Sequence, residues 1–484
     1  MEYEQWREKW LVKSIHYLKM IREDFEKGTG RKVEECRVEL IDGEIRFFWN
    51  DSPKPWQTAR VGEIDPKDVF ITLYRLFQST KLFPPLPWGS MQGVRPAKLL
   101  QSYVEQGDSL AMGVARIAAR YDVEPKRAEL LGKVVSAQAR VLQDTEGTMG
   151  LYLGIPFCPS RCFYCSFSGE VVPKNKSEMI DFWQFFKQDL LAAIEWINQS
   201  SEKLSTIYIG GGTPTTLPIS IFSELCEILS TQLDLSRVVD FTLEAGRPET
   251  ITLEKLVIAK NAGVNRVSVN PQSMHQQTLD QVGRTHRVDE IYKAVELVRK
   301  VQFQSLNMDL IAGLPGESVE DFVDSLEKIL LLNPENITIH SLALKKGSTW
   351  LENQKSLPIP QVVRQMVEIG RRVLLEKEYL PYYLYRQKNS PGHLENIGYS
   401  KVGHESLYNI QIMDETHSVI GIGPGAATKK REKRGKIYNY HFPKDRRSYE
   451  RDLNKYLGER QEILNQADRG IYYGIFDSIS NLNT

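Results

Sequence analysis

Long apolar runs, an excess of charge of one sign and a cysteine framework are all missing from this 484-residue chain. No run approaches the roughly 20 apolar residues that a membrane-crossing helix needs. The opening stretch MEYEQWREKWLVKSIHYLKM carries a charge every few residues, so neither a membrane span nor a secretory signal is expected. Lys plus Arg total 62 and Asp plus Glu total 62, and a neutral chain without basic surfaces interleaved with aromatics argues against a nucleic-acid partner. Five cysteines are too few for a disulfide-stapled framework, and three of them crowd into one short loop. That usage points to a reducing, cytoplasmic compartment and to metal chemistry. What remains is ordinary globular composition, 41% hydrophobic and 26% charged, in a length that suits two to four folding units of ~100–200 residues each.

Between about Met149 and Ala343, short β-rich runs alternate with longer amphipathic stretches. The runs are LYLGI, TIYIGG, VDFTLEA, RVSVN, LNMDLIAG and NITIHSLAL. The stretches include SEMIDFWQFFKQDLLAAIEW and Ser318 to Leu332, where Val319, Phe322, Val323, Leu326, Ile329 and Leu330 recur at helical spacing. A strand about every 30 residues is the period of a βα unit. Six of them predict an α/β fold, a partial (β/α)6 TIM-like barrel, whose strand C-terminal ends carry the chemistry.

The domain expectation is a small α/β unit over 1–80, a helical connecting region over 81–145, the barrel over 146–345 and an α+β extension over 346–484. The first unit contains a helical run from Trp6 to Phe25 and a hairpin, RVELIDGEIRFFW, turning at Asp42 and Gly43. LFPPLPWGS reads as a linker or turn, Gln101 to Gln143 as helical, and Ile359 to Lys377 as a helix ahead of the Gly-rich turn GIGPGAAT.

Cys158-x-x-x-Cys162-x-x-Cys165 follows the first barrel strand. Thiolates at such spacing wrap one iron–sulfur cluster, and three ligands for four irons leave one iron open. A zinc site is the alternative, but it wants a fourth ligand and Ser166 and Phe167 follow. Cys226 sits in an apolar helical run and Cys36 in a strand-like one, both better suited to packing. GGGTPT, Gly210 to Thr215, ends the second strand, either as a plain tight turn or as a stretch where absent side chains let backbone amides approach an anionic ligand. Glu244, Gln272, Arg284 and Asp309 add a polar set at the following strands. Asp309 lies in an apolar run and should have a partner. KKREKRGK, Lys429 to Lys436, is a solvated loop or a steering patch for carboxylates. His286, His340 and His441 are candidate proton donors or haem ligands, against the plainer role of satisfied structural histidines.

The cysteine motif with an aromatic before its last member resembles the radical S-adenosylmethionine signature. The ordered series YLGIPFCPSRCFYC, GGGTPT, LEAGRPE, NRVSVNPQS, GRTH, MDLIAGLPGES and GIGPGA, over about residues 146–430, resembles the oxygen-independent coproporphyrinogen III oxidase family, in its bacterial coproporphyrinogen dehydrogenase branch. The resemblance implies a radical SAM barrel with a [4Fe-4S] cluster on Cys158, Cys162 and Cys165. Tyr152, Gly211, Glu244 and Ala427 would contact the S-adenosylmethionine chelated to it. Tyr164, Gly212, Thr213, Gln272, Arg284, Asp309 and Ala343 match positions touching a second S-adenosylmethionine, and Glu244, Gln272, Arg284 and Asp309 are the candidate catalytic set. The implied reaction is oxidative decarboxylation of coproporphyrinogen III to protoporphyrinogen IX, with a reductant such as flavodoxin or ferredoxin and an unidentified electron acceptor. Haem chaperones and haem-acting radical methyltransferases share these motifs, so haem is the alternative tetrapyrrole. Two positions depart from the oxidase, Phe167 for a cysteine and Gly154 for a histidine, and weaker decarboxylation is expected from them.

Overall fold

The computed structural model describes residues 36–41, 44–49, 57–60, 68–79, 85–165, 167, 169–343, 348, 358–387, 390–432 and 436–469. The expected helix from Trp6 to Phe25 and the turn residues Asp42 and Gly43 lie outside them. Strands β1 (Cys36–Ile41), β2 (Glu44–Trp49) and β3 (Gln57–Arg60) form an antiparallel sheet, with Ile41 opposite Glu44.

The main sheet grows from β4 (Thr148–Ile155), β5 (Lys203–Gly211), β6 (Asp240–Glu244), β7 (Arg266–Ser268), β8 (Ser305–Ala312) and β9 (Asn336–Ser341), all parallel neighbours in chain order. These are the six runs read from the sequence, and with the helices between them they make the expected partial TIM-type α/β barrel. Five more strands come from the tertiary structure. β10 (Leu380–Arg386) and β11 (Glu395–Ser400) close one edge antiparallel. Beyond β4, β12 (Ser418–Ile422) adds a seventh parallel strand, followed by antiparallel β13 (Ala427–Arg431) and β14 (Ile437–His441). The order is β10-β11-β9-β8-β7-β6-β5-β4-β12-β13-β14.

Parallel strands are covered on both faces, which is why their runs are almost unbroken in apolar residues. Leu151, Leu153, Ile155, Ile207, Ile209, Leu243, Val267, Met308 and Leu310 are buried. Of the preceding helices α1 (Val69–Ser79), α2 (Pro96–Glu105), α3 (Leu110–Tyr121) and α4 (Pro125–Val141), two begin at proline, where a missing N–H costs nothing. The barrel helix α5 (Lys176–Gln199) lays Phe182, Phe186, Leu190 and Ile197 on the core at three- and four-residue steps. The others are α6 (Ile219–Gln232), α7 (Leu253–Asn261), α8 (Gln276–Gln281), α9 (Val288–Val301) and α10 (Val319–Leu331). α10 starts with Ser318 and Asp321 capping each other's amides. Beyond them come α11 (Pro360–Glu376), α12 (Leu407–Asp414), α13 (Arg446–Arg451) and α14 (Leu453–Arg469). Among the described residues no helix is long and apolar enough to cross a membrane.

LFPPLPWGS is no loose linker where it is described. Trp88 is fully buried and donates its indole N–H to Glu395 at 2.7 Å. Arg127 of α4 pairs with the same Glu395 and with Glu368, and the Arg386 amide donates to the Val94 carbonyl. The helical region thus backs the antiparallel edge of the barrel. Of the tyrosines of that edge which face the site, Tyr383 owes its place partly to Gly398 on β11. A Cβ there would collide with the Tyr383 ring, which crosses β11 to bring its hydroxyl 3.2 Å from Thr338 of β9.

Candidate functional site

A cavity of about 570 Å³ opens at the C-terminal ends of the parallel strands, where barrel chemistry is built. One wall is the cysteine loop after β4. The loop is pinned to the α8–α9 connection, with the Phe163 amide on the Val282 carbonyl at 3.0 Å and the Ser160 hydroxyl on the Gly283 carbonyl at 2.7 Å. Cys165 faces the cavity. Cys158 accepts from the Thr213 hydroxyl at 3.5 Å, and Cys162 accepts from Arg247 at 3.7 Å and Arg284 at 3.8 Å. Burial pushes the Cys158 thiol up, and that of Cys165 to about 11.

A single zinc ion draws its ligands to one point, with Zn–S about 2.3 Å. Among the described residues no three His, Cys, Asp or Glu groups converge that way. Three soft thiols along one loop, each taking an N–H or O–H donor on sulfur, suit the corners of a four-iron cube with one corner left free.

Of the two sequence readings of the glycine run, its hydrogen bonds at Gly212 and Thr213 fit the structural one. The Gly212 and Thr213 amides donate to the Ile155 and Phe157 carbonyls at 2.6 and 2.7 Å, so they are not free for an anion. A Cβ on Gly212 would sit 2.6 Å from the Phe157 oxygen, and one on Gly210 2.5 Å from the Glu244 carboxylate. Side-chain absence here lets β5 close against the cysteine loop. Gly211, at φ +99°, lines the cavity and donates its amide to Glu244.

Glu244 ends β6 inside the cavity. Burial, reinforced by the charge of Asp309, pushes its carboxyl up to about 8 against hydrogen bonds from Tyr208 and Gly211. Tyr208 and Tyr408 stack with centroids 4.4 Å apart, and Tyr152 lies 6.2 Å from each. Gln272 adopts φ +69°, a left-handed conformation that a side chain rarely takes. Its backbone bridges Asp309 and Ile311 of β8. The Gln272 Oε1 and Asn270 Oδ1 atoms are buried without a protein partner, although both residues line the cavity. Orphaned buried acceptors are what a ligand's donors would satisfy.

Asp309 has partners, as its apolar run requires. Asn307 donates to it at 2.8 Å and His340 Nε2 lies 3.6 Å away, while His340 Nδ1 lies 3.4 Å from the Tyr385 hydroxyl. All four residues line the cavity.

Of the residues named from sequence, Tyr152, Tyr164, Cys165, Gly211, Glu244, Gln272, Asp309, Ala343 and Ala427 line one space. Cys158, Cys162, Gly212, Thr213 and Arg284 stand behind it. Arg284 is buried, its guanidinium held by the Gly246 and Asn270 carbonyls at 2.7 and 2.6 Å. It therefore supports the wall rather than entering the cavity. His286 is buried against Glu249, and His441 lies on β14; neither lines the cavity. From the basic run, Lys429 pairs with Glu415 and Lys430 with Glu202, which leaves neither ammonium facing the cavity.

Sequence reading missed Arg247, Asn270, Tyr208, Tyr408 and the pair Tyr383 and Tyr385. Tyr208, Arg247 and Asn270 lie inside the quoted runs TIYIGG, LEAGRPE and NRVSVNPQS, and Tyr383 and Tyr385 in the alternation of LPYYLYR, which sends both side chains to one strand face.

Residues 152–329 match the Radical SAM superfamily. The oxygen-independent coproporphyrinogen-III oxidase-like protein HemZ of Bacillus subtilis (strain 168) is 37% identical over 386 residues, 78% of this chain and 77% of that protein. The heme chaperone HemW of Lactococcus lactis subsp. lactis (strain IL1403) is 30% identical over 328 residues, 65% of this chain and 79% of the relative. The solved structure of coproporphyrinogen III oxidase (HemN) from Escherichia coli, a radical SAM enzyme, covers 66% of this chain and 72% of its own at 20% identity and a TM-score of 0.52, a likeness of fold.

Proposed function

Because the chain belongs to the radical SAM superfamily, and within it to the oxygen-independent coproporphyrinogen-III oxidase-like family, we propose that it abstracts hydrogen from a tetrapyrrole and decarboxylates coproporphyrinogen III oxidatively. Its cofactors are a [4Fe-4S] cluster and S-adenosylmethionine. The observation that carries the proposal is one cavity of about 570 Å³ lined together by Cys165, Glu244 and a set of tyrosines.

Cys158, Cys162 and Cys165 hold the cluster, and when bound beside S-adenosylmethionine it supplies reductive cleavage of that cofactor and a carbon-centred hydrogen abstractor. Glu244 accepts from the cofactor's hydroxyl or amine donors. Asn270 and Gln272 offer their orphaned oxygens to a ligand's N–H and O–H groups, and Gln272, Asp309 and Ala343 fit a second S-adenosylmethionine. The Tyr208 and Tyr408 rings, with Tyr383 and Tyr385 opposite the cysteine loop's strand, give a flat ligand apolar faces and displace water. The decarboxylation removes one hydrogen atom, one carbon dioxide and one electron from each of two propionates, so a reductant such as flavodoxin or ferredoxin and an electron acceptor serve the cytoplasmic reaction.

A second reading, haem binding and transfer, is favoured by the cavity's charge. Four propionates call for several cations, and among the described lining residues only Arg266 and His340 can be cationic. Arg266 is tied to Asp240 at 3.1 Å. Lys345, Lys346 and Lys388, next in sequence to the lining residues Ala343 and Gln387, lie outside the described residues.

Anaerobic turnover of cluster-reconstituted protein with dithionite, S-adenosylmethionine and coproporphyrinogen III separates the two. Rising 5′-deoxyadenosine together with vinyl product supports the oxidase. Deoxyadenosine without vinyl product moves the substrate elsewhere, and neither product, with stoichiometric haem uptake, supports the chaperone.

A further inference from the structure

Arg247 is 3% exposed and stands behind the cysteine loop, at the end of β6. It is placed by four groups. It donates to the Ser160 carbonyl at 3.1 Å and hydroxyl at 2.8 Å, to Glu249 at 2.7 Å and to Thr285 at 3.1 Å. The remaining reach of the same guanidinium falls on the Cys162 sulfur, 3.7 Å away. Arg284 approaches that sulfur at 3.8 Å, with its other end fixed on the Gly246 and Asn270 carbonyls. One thiol thus receives two buried, permanently charged donors, whereas Cys158 receives a neutral hydroxyl.

Burying a guanidinium costs free energy that a loop staple does not require, since a neutral donor serves Ser160 as well. Hydrogen bonds to cysteine sulfurs and the charge around a cluster are the protein's means of setting its reduction potential. Glu249 cancels part of the Arg247 charge, so the N–H···S contact is the larger lever.

We propose that Arg247 is a positioning residue for electron transfer, which with Arg284 donates to the Cys162 thiolate and raises the cluster's reduction potential. Reduction of the oxidised cluster by one electron adds negative charge to the cube and its sulfurs, and donors aimed at Cys162 stabilise the reduced form more than the oxidised one. This rests on Cys162 being a cluster ligand.

The test is an anaerobic redox titration of the reconstituted full chain, read by electron paramagnetic resonance of the reduced cluster, with iron content measured in parallel. Arg247→Gln should retain iron. At a potential where the unaltered cluster is partly reduced, its reduced-to-oxidised ratio should fall roughly tenfold, equivalent to about 59 mV for one electron. Arg247→Lys keeps the charge without the planar fork and should shift the same way by less. Arg161→Gln, exposed on the same loop, should change the ratio less than twofold. An unshifted potential in Arg247→Gln, an equal shift in Arg161→Gln, or loss of iron in both Arg247 variants would overturn the proposal, the last by making the residue a staple of the loop. Absence of a cluster signal in the unaltered chain would instead overturn the reading of the cysteines, and the proposal with it.

Discussion

Replacing Arg127 by Met tests whether the helical region before the barrel is part of the folding unit. Arg127 has no solvent exposure, and neither has the carboxylate of Glu395 that it pairs with across 268 positions of sequence. The side chains are similar in length, so Arg127→Met leaves little void. It strands a buried carboxylate whose only other side-chain hydrogen-bond partner among the described residues is the Trp88 indole. Breaking a buried pair from one side costs about 3–5 kcal/mol, against ~5–15 kcal/mol for a whole domain. Glu368 loses less, because it is partly exposed and keeps Arg371 at 2.5 Å. Urea unfolding followed by intrinsic fluorescence should therefore show a large drop in midpoint. The double variant Arg127→Met/Glu395→Gln should recover about half or more of the loss, since no buried charge remains. A loss under about 1 kcal/mol in the single variant, or none regained in the double, would refute the claim that this pair locks the helices to β11.

Outcomes for four further substitutions are expected. Burial raises the Asp414 carboxyl from an ordinary 3.8 to about 7. The folded state then holds a proton that the unfolded chain has released, so the group's contribution is full below about pH 4 and is lost as pH rises through about 7. Asp414→Asn should leave acid stability unchanged and raise stability at pH 8 by up to about 4 kcal/mol, read from thermal unfolding across pH. Gly398→Ala should displace the Tyr383 ring, break its contact with Thr338 and cost about 1–3 kcal/mol, with weaker tetrapyrrole binding by titration. Phe167 is 67% exposed, so Phe167→Cys should fold within about 0.5 kcal/mol of the parent. Gly154→His should cost about 1–3 kcal/mol, because a Cβ there already meets the Tyr152 ring at 3.3 Å and the Ile422 carbonyl at 3.4 Å. Restoring oxidase-like residues is thus best assayed with Phe167→Cys alone, and a turnover unchanged by it would remove that position as the cause of weak decarboxylation.

The strands, the helices and the cysteine loop were legible because each rests on local patterning. Runs such as LYLGI and TIYIGG are apolar on both faces, Val319 to Leu330 repeats at helical spacing, and a three-two cysteine spacing fits one loop whatever surrounds it. Motif order along the chain then placed Glu244 and Gln272 at strand ends and Asp309 within a strand, and the structure puts all three around one cavity. Tertiary structure decided the contacts made between residues far apart in sequence. Trp88 reads as part of a Pro-rich linker, and only its bond to Glu395 makes it an anchor. The amides of Gly212 and Thr213 look available for an anion until the segment leading into the cysteine loop folds back to take them. Arg247 stands inside the motif LEAGRPE, yet its role emerges only when β6, the cysteine loop and the α8–α9 connection bring Ser160, Cys162 and Thr285 within reach of one guanidinium. Spacing in a sequence fixes what lies within a turn or a strand, whereas the partner of a buried charge is chosen by packing across the sheet.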